Sequence, residues 1–302
     1  MTLRAELVRL GTRLFIKRRG IRGPAEQSRR ELKALERLTP RPPRHTRTMT
    51  VDAGGVAAEL ITVPASSSRR HVLFLHGGAY RSGAPSSYRH FTWRIAAAAR
   101  ATVLAVDYRL APEHPYPAAL DDAVRAYRWL LAAGGAAPST MIVGDSAGGG
   151  LALATLLKLR DDGVALPVAA VALSPWTDLA LTGASLRRNV RRDPMLNAED
   201  LPALAADYLA GADPRLPYAS PLYGDLAGLP PTLIHVGGDE VLHDDAVRMH
   251  ERLRLAGCDA ELEIWPRMPH VWHLFAPVLP EAKRAIAKIG DFADRRLPAV
   301  DD

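Results

Sequence analysis

Met141-Ile142-Val143-Gly144-Asp145-Ser146-Ala147-Gly148-Gly149-Gly150-Leu151-Ala152 joins two different patterns within a dozen residues. Met141–Val143 reads as a short buried strand, and Ala147–Leu159 as a helix apolar enough to lie inside a domain. Between them, Gly144–Gly148 has the form G-x-S-x-G. A strand-to-helix turn this tight lifts the serine into a strained conformation, and glycine at 144 and 148 lets neighbouring segments approach. The hydroxyl then stands at a helix N-terminus, where amide dipoles favour developing negative charge. A serine in an ordinary surface turn needs neither the paired glycines nor the strand and helix around them. Ser146 is the candidate nucleophile.

Working outward, short Val/Leu/Ile runs alternate with amphipathic segments. Strands are predicted at 71–75, 102–106, 141–143, 168–173, 232–236 and 261–265, and helices at 88–99, 120–131, 147–159, 245–255 and 281–292. That rhythm implies a mostly parallel sheet covered by helices on both faces. Thr48–Val51 and Val56–Val63, separated by Ala53-Gly54-Gly55, read as an edge hairpin. Residues 181–228 interrupt the alternation with Pro, Arg and short helical pieces, which marks an insertion above the sheet. No internal repeat or low-complexity tract is present. The chain divides into an N-terminal helical segment, 1–46, and a catalytic domain, 47–302.

A serine hydroxyl is a weak nucleophile and needs a base, itself oriented by a carboxylate. With a serine elbow on a sheet of this kind, the acid and then the histidine follow along the chain. His270, directly after Pro269 in the Pro266-containing loop just past strand 261–265, is the favoured base; His273 is the runner-up. Asp239 follows strand 232–236 through Gly237-Gly238 and is the favoured acid, with Asp178 behind it. Asp244 and Asp245 are better read as caps of the next helix. His76-Gly77-Gly78-Ala79, directly after strand 71–75, offers backbone N–H groups to an oxyanion. The candidate hole comprises Gly77, Gly78, Ala79 and Ala147. Tyr80, Asp145 and Trp176 are candidate pocket residues; for Tyr80 and Trp176, core packing is an equal alternative. Arg109 and Glu113 read as braces of the loop beneath the elbow.

These segments resemble the hormonesensitive-lipase-like family of bacterial esterases, of the α/β-hydrolase fold. The likeness is carried by His76–Tyr80, Asp107–Ala119, Gly144–Gly149, Gly238–Leu242 and Met268–Val271, and covers about residues 47–295. Within the family it is closest in look to the acetyl-hydrolase and lactone-hydrolase-like branch. The resemblance implies an eight-stranded, mostly parallel sheet with a helical cap, built from the N-terminal helices and the insertion near 181–228. It implies a carboxylesterase working through an acyl-enzyme on short- to medium-chain esters. Lactone hydrolysis and deacetylation use the same machinery. A non-catalytic small-molecule-binding protein of this fold would lack the histidine, which is present here. Ala79 departs from the wider family's third glycine, and its methyl group narrows the pocket.

Composition bounds the rest. At 302 residues with 48% hydrophobic and 24% charged side chains, the chain has ample material for a core. Its single cysteine, Cys258, excludes an internal disulfide and fits a reducing compartment. With no secretory leader pattern in Met1–Lys17, the expectation is a cytoplasmic protein. No apolar stretch approaches the roughly 18 residues of a membrane span. The formal charge of +6 is uneven: residues 1–44 carry thirteen Lys or Arg against four Glu, so the segment is +9 and the remainder −3. Without a basic groove interleaved with aromatics, nucleic acid is not an expected partner. Leu3, Leu7, Leu10 and Leu14 share one helix face with basic residues opposite, and a second helix is predicted over 25–38. The expectation is that the leucine face packs on the body or the substrate, rather than anchoring a membrane. Stable membrane insertion is not expected, and self-association into a homodimer is left open. No metal-ligand spacing or dinucleotide fingerprint stands out, so no cofactor is inferred.

Overall fold

The computed structural model describes residues 2–18, 20, 23–36 and 39–300. The expected end of the second helix at Leu38 lies outside the described residues, as do Ile21 and Arg22 of the break between the two N-terminal helices.

Eight strands form one sheet: β1 (Arg47–Asp52), β2 (Ala57–Thr62), β3 (Ser67–Leu75), β4 (Ala101–Val106), β5 (Thr140–Asp145), β6 (Ala169–Leu173), β7 (Thr232–Gly237) and β8 (Ala260–Trp265). Their spatial order is β1-β2-β4-β3-β5-β6-β7-β8. The hairpin β1–β2 and the β2–β4 pair are antiparallel, and every later pair is parallel. Helices follow the parallel strands: α3 (Pro85–Ala99), α4 (Ala118–Ala132), α5 (Ala147–Asp161), α8 (His243–Leu255) and α9 (Pro280–Arg296). The N-terminal segment supplies α1 (Leu3–Thr12), continued by a π-helical turn over Arg13–Lys17, and α2 (Ala25–Glu36). The insertion carries only α6 (Ser185–Arg188), α7 (Leu201–Leu209) and one 3₁₀ turn.

Strand alternation divides the core in two, because successive side chains point to opposite faces. Val72, Phe74, Met141, Val143, Val171 and Leu173 belong to a cluster shared with Phe91 and Ile95 of α3 and Ile289 of α9. Leu73, Leu75, Ile142, Ala170, Ala172 and Ile234 point the other way, onto Tyr127 of α4, Leu151 of α5 and Met249 of α8. α5 is buried nearly all round, from Ala147 to Leu157, which explains its unbroken apolar sequence.

The parallel register sets the site. Leu75 pairs with Gly144, so the glycine turn after β3 and the serine turn after β5 leave the sheet side by side. The ends of β7 and β8 are likewise in register, Gly237 opposite Trp265. Groups from four loops therefore converge at the carboxyl ends of the strands, where open parallel sheets place their sites.

Candidate active site

Ser146 sits at φ 54°, ψ −122°, a conformation that a non-glycine residue adopts only when its surroundings impose it. The two glycines of its motif make that possible. A Cβ on Gly144 would stand 2.1 Å from the Gly148 carbonyl oxygen, and one on Gly148 would stand 2.1 Å from that of Leu75. The Ser146 N–H donates to the Leu173 carbonyl at 2.8 Å, and the Ser146 carbonyl accepts from the Trp176 N–H at 2.9 Å. These bonds fix the elbow to the end of β6.

His270 Nε2 lies 2.8 Å from Ser146 Oγ, and His270 Nδ1 lies 2.7 Å from Oε2 of Glu240. The acid partner is therefore Glu240, and the expectation of Asp239 is corrected. The chain turns sharply after β7, so adjacent carboxylates diverge. Asp239 turns outward, where Arg9 Nη2 meets one carboxylate oxygen at 2.9 Å and Arg192 Nε approaches the other at 3.5 Å. Glu240, one residue further and one methylene longer, reaches back under the histidine and is fully buried. Its second oxygen accepts from Ser174 Oγ at 2.7 Å and from the Gly237 N–H. Gly237 is required here, because a Cβ would fall 2.2 Å from the Met268 carbonyl oxygen in the histidine loop. The sequence signal for Glu240 was its place beside Asp239, but strand-and-turn reasoning alone does not tell adjacent acids apart.

The two alternatives lie elsewhere. Asp178 accepts from Tyr223, Thr182 and Arg248 in a buried cluster with no contact to His270. His273 is fully buried and meets His235, Nε2 to Nδ1 at 3.1 Å. Nor do Asp244 and Asp245 cap their own helix: Asp244 accepts from the Ser185 N–H, and Asp245 from those of Thr177 and Asp178.

Burial pushes the Glu240 carboxyl upward, with His270 and its donors opposing. Burial would lower His270, but the charge and hydrogen bond of Glu240, with Asp193 and Asp145, outweigh it and raise the imidazole above its usual range. The carboxylate behind Nδ1 thus favours the imidazolium that forms when Nε2 takes up a proton.

The glycine turn is only partly available as a hole. The Gly77 N–H is taken up by Asp145 Oδ1 at 3.0 Å and Tyr88 Oη at 3.2 Å, which corrects its place among the oxyanion donors. Gly78, Ala79 and Ala147 have no N–H hydrogen bond to another described residue. Gly78, Ala79 and Tyr80 all have positive φ (118°, 55° and 60°), a left-handed run of the kind that presents successive amides to an anion. Asp145 is also corrected. Its other oxygen accepts from Tyr88 Oη at 3.0 Å, so it braces the glycine turn from behind and does not line a pocket. Burial, opposed by Tyr88 and His270, pushes its carboxyl up to about 7. Tyr80 and Trp176 are each 1% exposed. Tyr80 stacks on Tyr208 of α7, centroids 3.7 Å apart, so the insertion rests on the glycine turn. Arg109 braces its loop through Asp122, while Glu113 is gripped by Arg29 of α2.

The N-terminal segment does not pack as its leucines suggest. Leu3, Leu7, Leu10 and Leu14 are 78%, 60%, 54% and 39% exposed, and α1 buries Ala5 and Thr12 instead. Its basic face grips the body. Arg9 donates to the Arg267 carbonyl at 2.6 Å, Arg13 to that of Arg191, and Lys17 to those of Val190 and Asp193.

A nucleophile elbow, an imidazole between serine and carboxylate, and free amides beside the hydroxyl define a serine hydrolase site on an α/β-hydrolase scaffold. The α/β-hydrolase-fold family model matches residues 72–274, and the chain belongs to that family. More narrowly, it is a member of the hormone-sensitive-lipase family of bacterial esterases. It is 51% identical over 242 residues to an acetyl-hydrolase of Streptomyces hygroscopicus, covering 80% of this chain and 81% of that protein. It is 39% identical over 240 residues to an esterase of Acinetobacter venetianus, covering 79% of each. A crystal structure of an esterase from the bacterial hormone-sensitive lipase family superposes with a TM-score of 0.94 at 44% identity, covering 99% of both chains. Among the described residues no helix is long and apolar enough to cross a membrane, and no group of three or more His, Cys, Asp or Glu is placed to hold a metal ion.

Proposed function

We propose that the protein hydrolyses carboxylic esters of short to medium acyl groups through a covalent acyl-enzyme on Ser146. The observation that carries this reading is the unbroken relay from Ser146 Oγ through His270 to Glu240, at 2.8 Å and 2.7 Å. His270 Nε2 takes the hydroxyl proton as Oγ attacks the ester carbonyl carbon, and returns it to the departing alcohol. Water then attacks the acyl-enzyme with His270 again as base, and the acid leaves as Ser146 recovers its proton. Glu240 orients the ring and stabilises the imidazolium. The N–H groups of Gly78, Ala79 and Ala147 receive the oxyanion in each tetrahedral intermediate. The proposed cap is α1, α2 and the insertion, and Tyr80, Trp176 and Tyr208 close the space beside the elbow against long chains. An acetyl ester as substrate is favoured by the likeness to the Streptomyces acetyl-hydrolase. A reducing, cytoplasmic setting is supported by Cys258, a buried free thiol whose Sγ donates to the Leu226 carbonyl.

A fluorophosphonate probe followed by peptide mapping tests the reading. Label is expected on Ser146 alone, and Ser146→Ala should lose several orders of magnitude in kcat on 4-nitrophenyl acetate, leaving about the 10³-fold residue over water that oxyanion binding supplies. Label on another serine, or an active alanine variant, would overturn it.

A further inference from the structure

The leucine stripe of α1 points outward while the helix's polar contacts point inward, the reverse of a helix laid on a protein core. Phe15, in the π-helical turn that follows, adds a further apolar side chain at 71% exposure. Beside it, Val278 is 52% exposed and lines a shallow surface hollow with Pro277, Leu7 and Arg4. Isolated exposed leucines need no explanation, but a continuous row with apolar neighbours does.

The charge around this row indicates what covers it. Arg4, Arg13 and Arg18 are exposed along the same segment, and Arg191 and Arg192 of the insertion are exposed beside it. Arg13 and Arg9 reach the carbonyls of Arg191 and Arg192, which places that basic pair against the flank of α1. An apolar stripe rimmed by cations is the pattern of a helix lying in the headgroup region of an anionic bilayer. A second copy of the chain fits it less well, since a two-fold contact through α1 would set these arginines against their equivalents.

We infer that the outer face of α1 is a docking surface for an anionic lipid membrane. The helix lies in the plane of the surface and spans nothing. Its inner face holds both catalytic loops, through Arg9 to Asp239 and to the Arg267 carbonyl. Docking therefore sets the two turns that carry Glu240 and His270 directly behind the membrane-bound helix.

Co-sedimentation of the full-length protein with vesicles tests this, using phosphatidylcholine alone and phosphatidylcholine with about 30% phosphatidylglycerol. The wild type should pellet with the anionic vesicles and be released by salt, because the charge component is screened. Leu7→Ser/Leu10→Ser should cut binding by about tenfold or more, as should Arg4→Gln/Arg18→Gln, with thermal unfolding and hydrolysis of a water-soluble ester unchanged. Wild-type protein left in the supernatant with both vesicles would overturn the inference. So would binding indifferent to the leucines, or a wild-type dimer in sedimentation equilibrium that Leu7→Ser/Leu10→Ser dissociates.

Discussion

At Gly237-Gly238-Asp239-Glu240 two neighbouring carboxylates serve different structures, one under the imidazole and the other on two arginines. Ser174 completes the inner arrangement. Its φ of 46° aims Oγ so that it donates to Glu240 and accepts from the Val271 N–H at 3.1 Å, tying the acid to the histidine loop. Ser174→Ala leaves a buried amide and a carboxylate oxygen short of partners. The expected cost is about 1–3 kcal/mol of stability and a larger effect on kcat than on KM, read by denaturant unfolding and steady-state kinetics. The pH dependence follows from the sign of the His270 shift. Only neutral imidazole can take the serine proton, and Glu240 raises its pKa, so kcat/KM should rise with pH along a limb centred above the ordinary histidine value of 6.5. A limb well below that value would show that the carboxylate does not govern this histidine.

Among the elements, α1 joins surface to chemistry. Arg9, with a side chain only 12% exposed, touches the turns after β7 and β8, which carry Glu240 and His270. Arg9→Ala removes the closer of the two cations on Asp239, which is 5% exposed, and frees the histidine loop from α1. A loss of about 1–3 kcal/mol in stability and a several-fold fall in kcat/KM are expected, with Ser146 still labelled by the fluorophosphonate. Unchanged kinetics and stability would reduce the contact to surface decoration. The period of the leucines correctly implied a helix, but period alone does not say which face meets the body. Four carbonyl acceptors in the insertion and the carboxylate of Asp239 decided it, and they lie roughly 170 to 230 residues away in sequence.

Across the whole molecule, the alternation of apolar runs was enough to read the sheet, because the central parallel strands β5, β6 and β7 are buried throughout and so write themselves as short apolar runs, while the edge strand β8 alternates with glutamate as Ala-Glu-Leu-Glu-Ile-Trp. Strand lengths were read short where they begin or end in polar residues, as at Ser67–Arg70 of β3 and Gly144-Asp145 of β5. Ser146 and His270 were legible because backbone geometry dictates their neighbours: glycines at 144 and 148, prolines around the histidine loop. Glu240 was not, since one carboxylate was chosen over its neighbour by a turn whose direction is set by the Met268 backbone packed on Gly237. The same reason hid the role of Asp145, whose partners Gly77 and Tyr88 come from a different βα unit.

The central claim is that Ser146, His270 and Glu240 act as one unit while Asp239 only supports it. Steady-state kinetics of Glu240→Gln beside Asp239→Asn, on one soluble acetyl ester, tests it most directly. Glu240→Gln should lower kcat by about 10³- to 10⁴-fold, the scale of removing the orienting carboxylate from a serine triad, while Asp239→Asn keeps activity within about tenfold of wild type. A near-normal Glu240→Gln with a crippled Asp239→Asn would contradict the assignment.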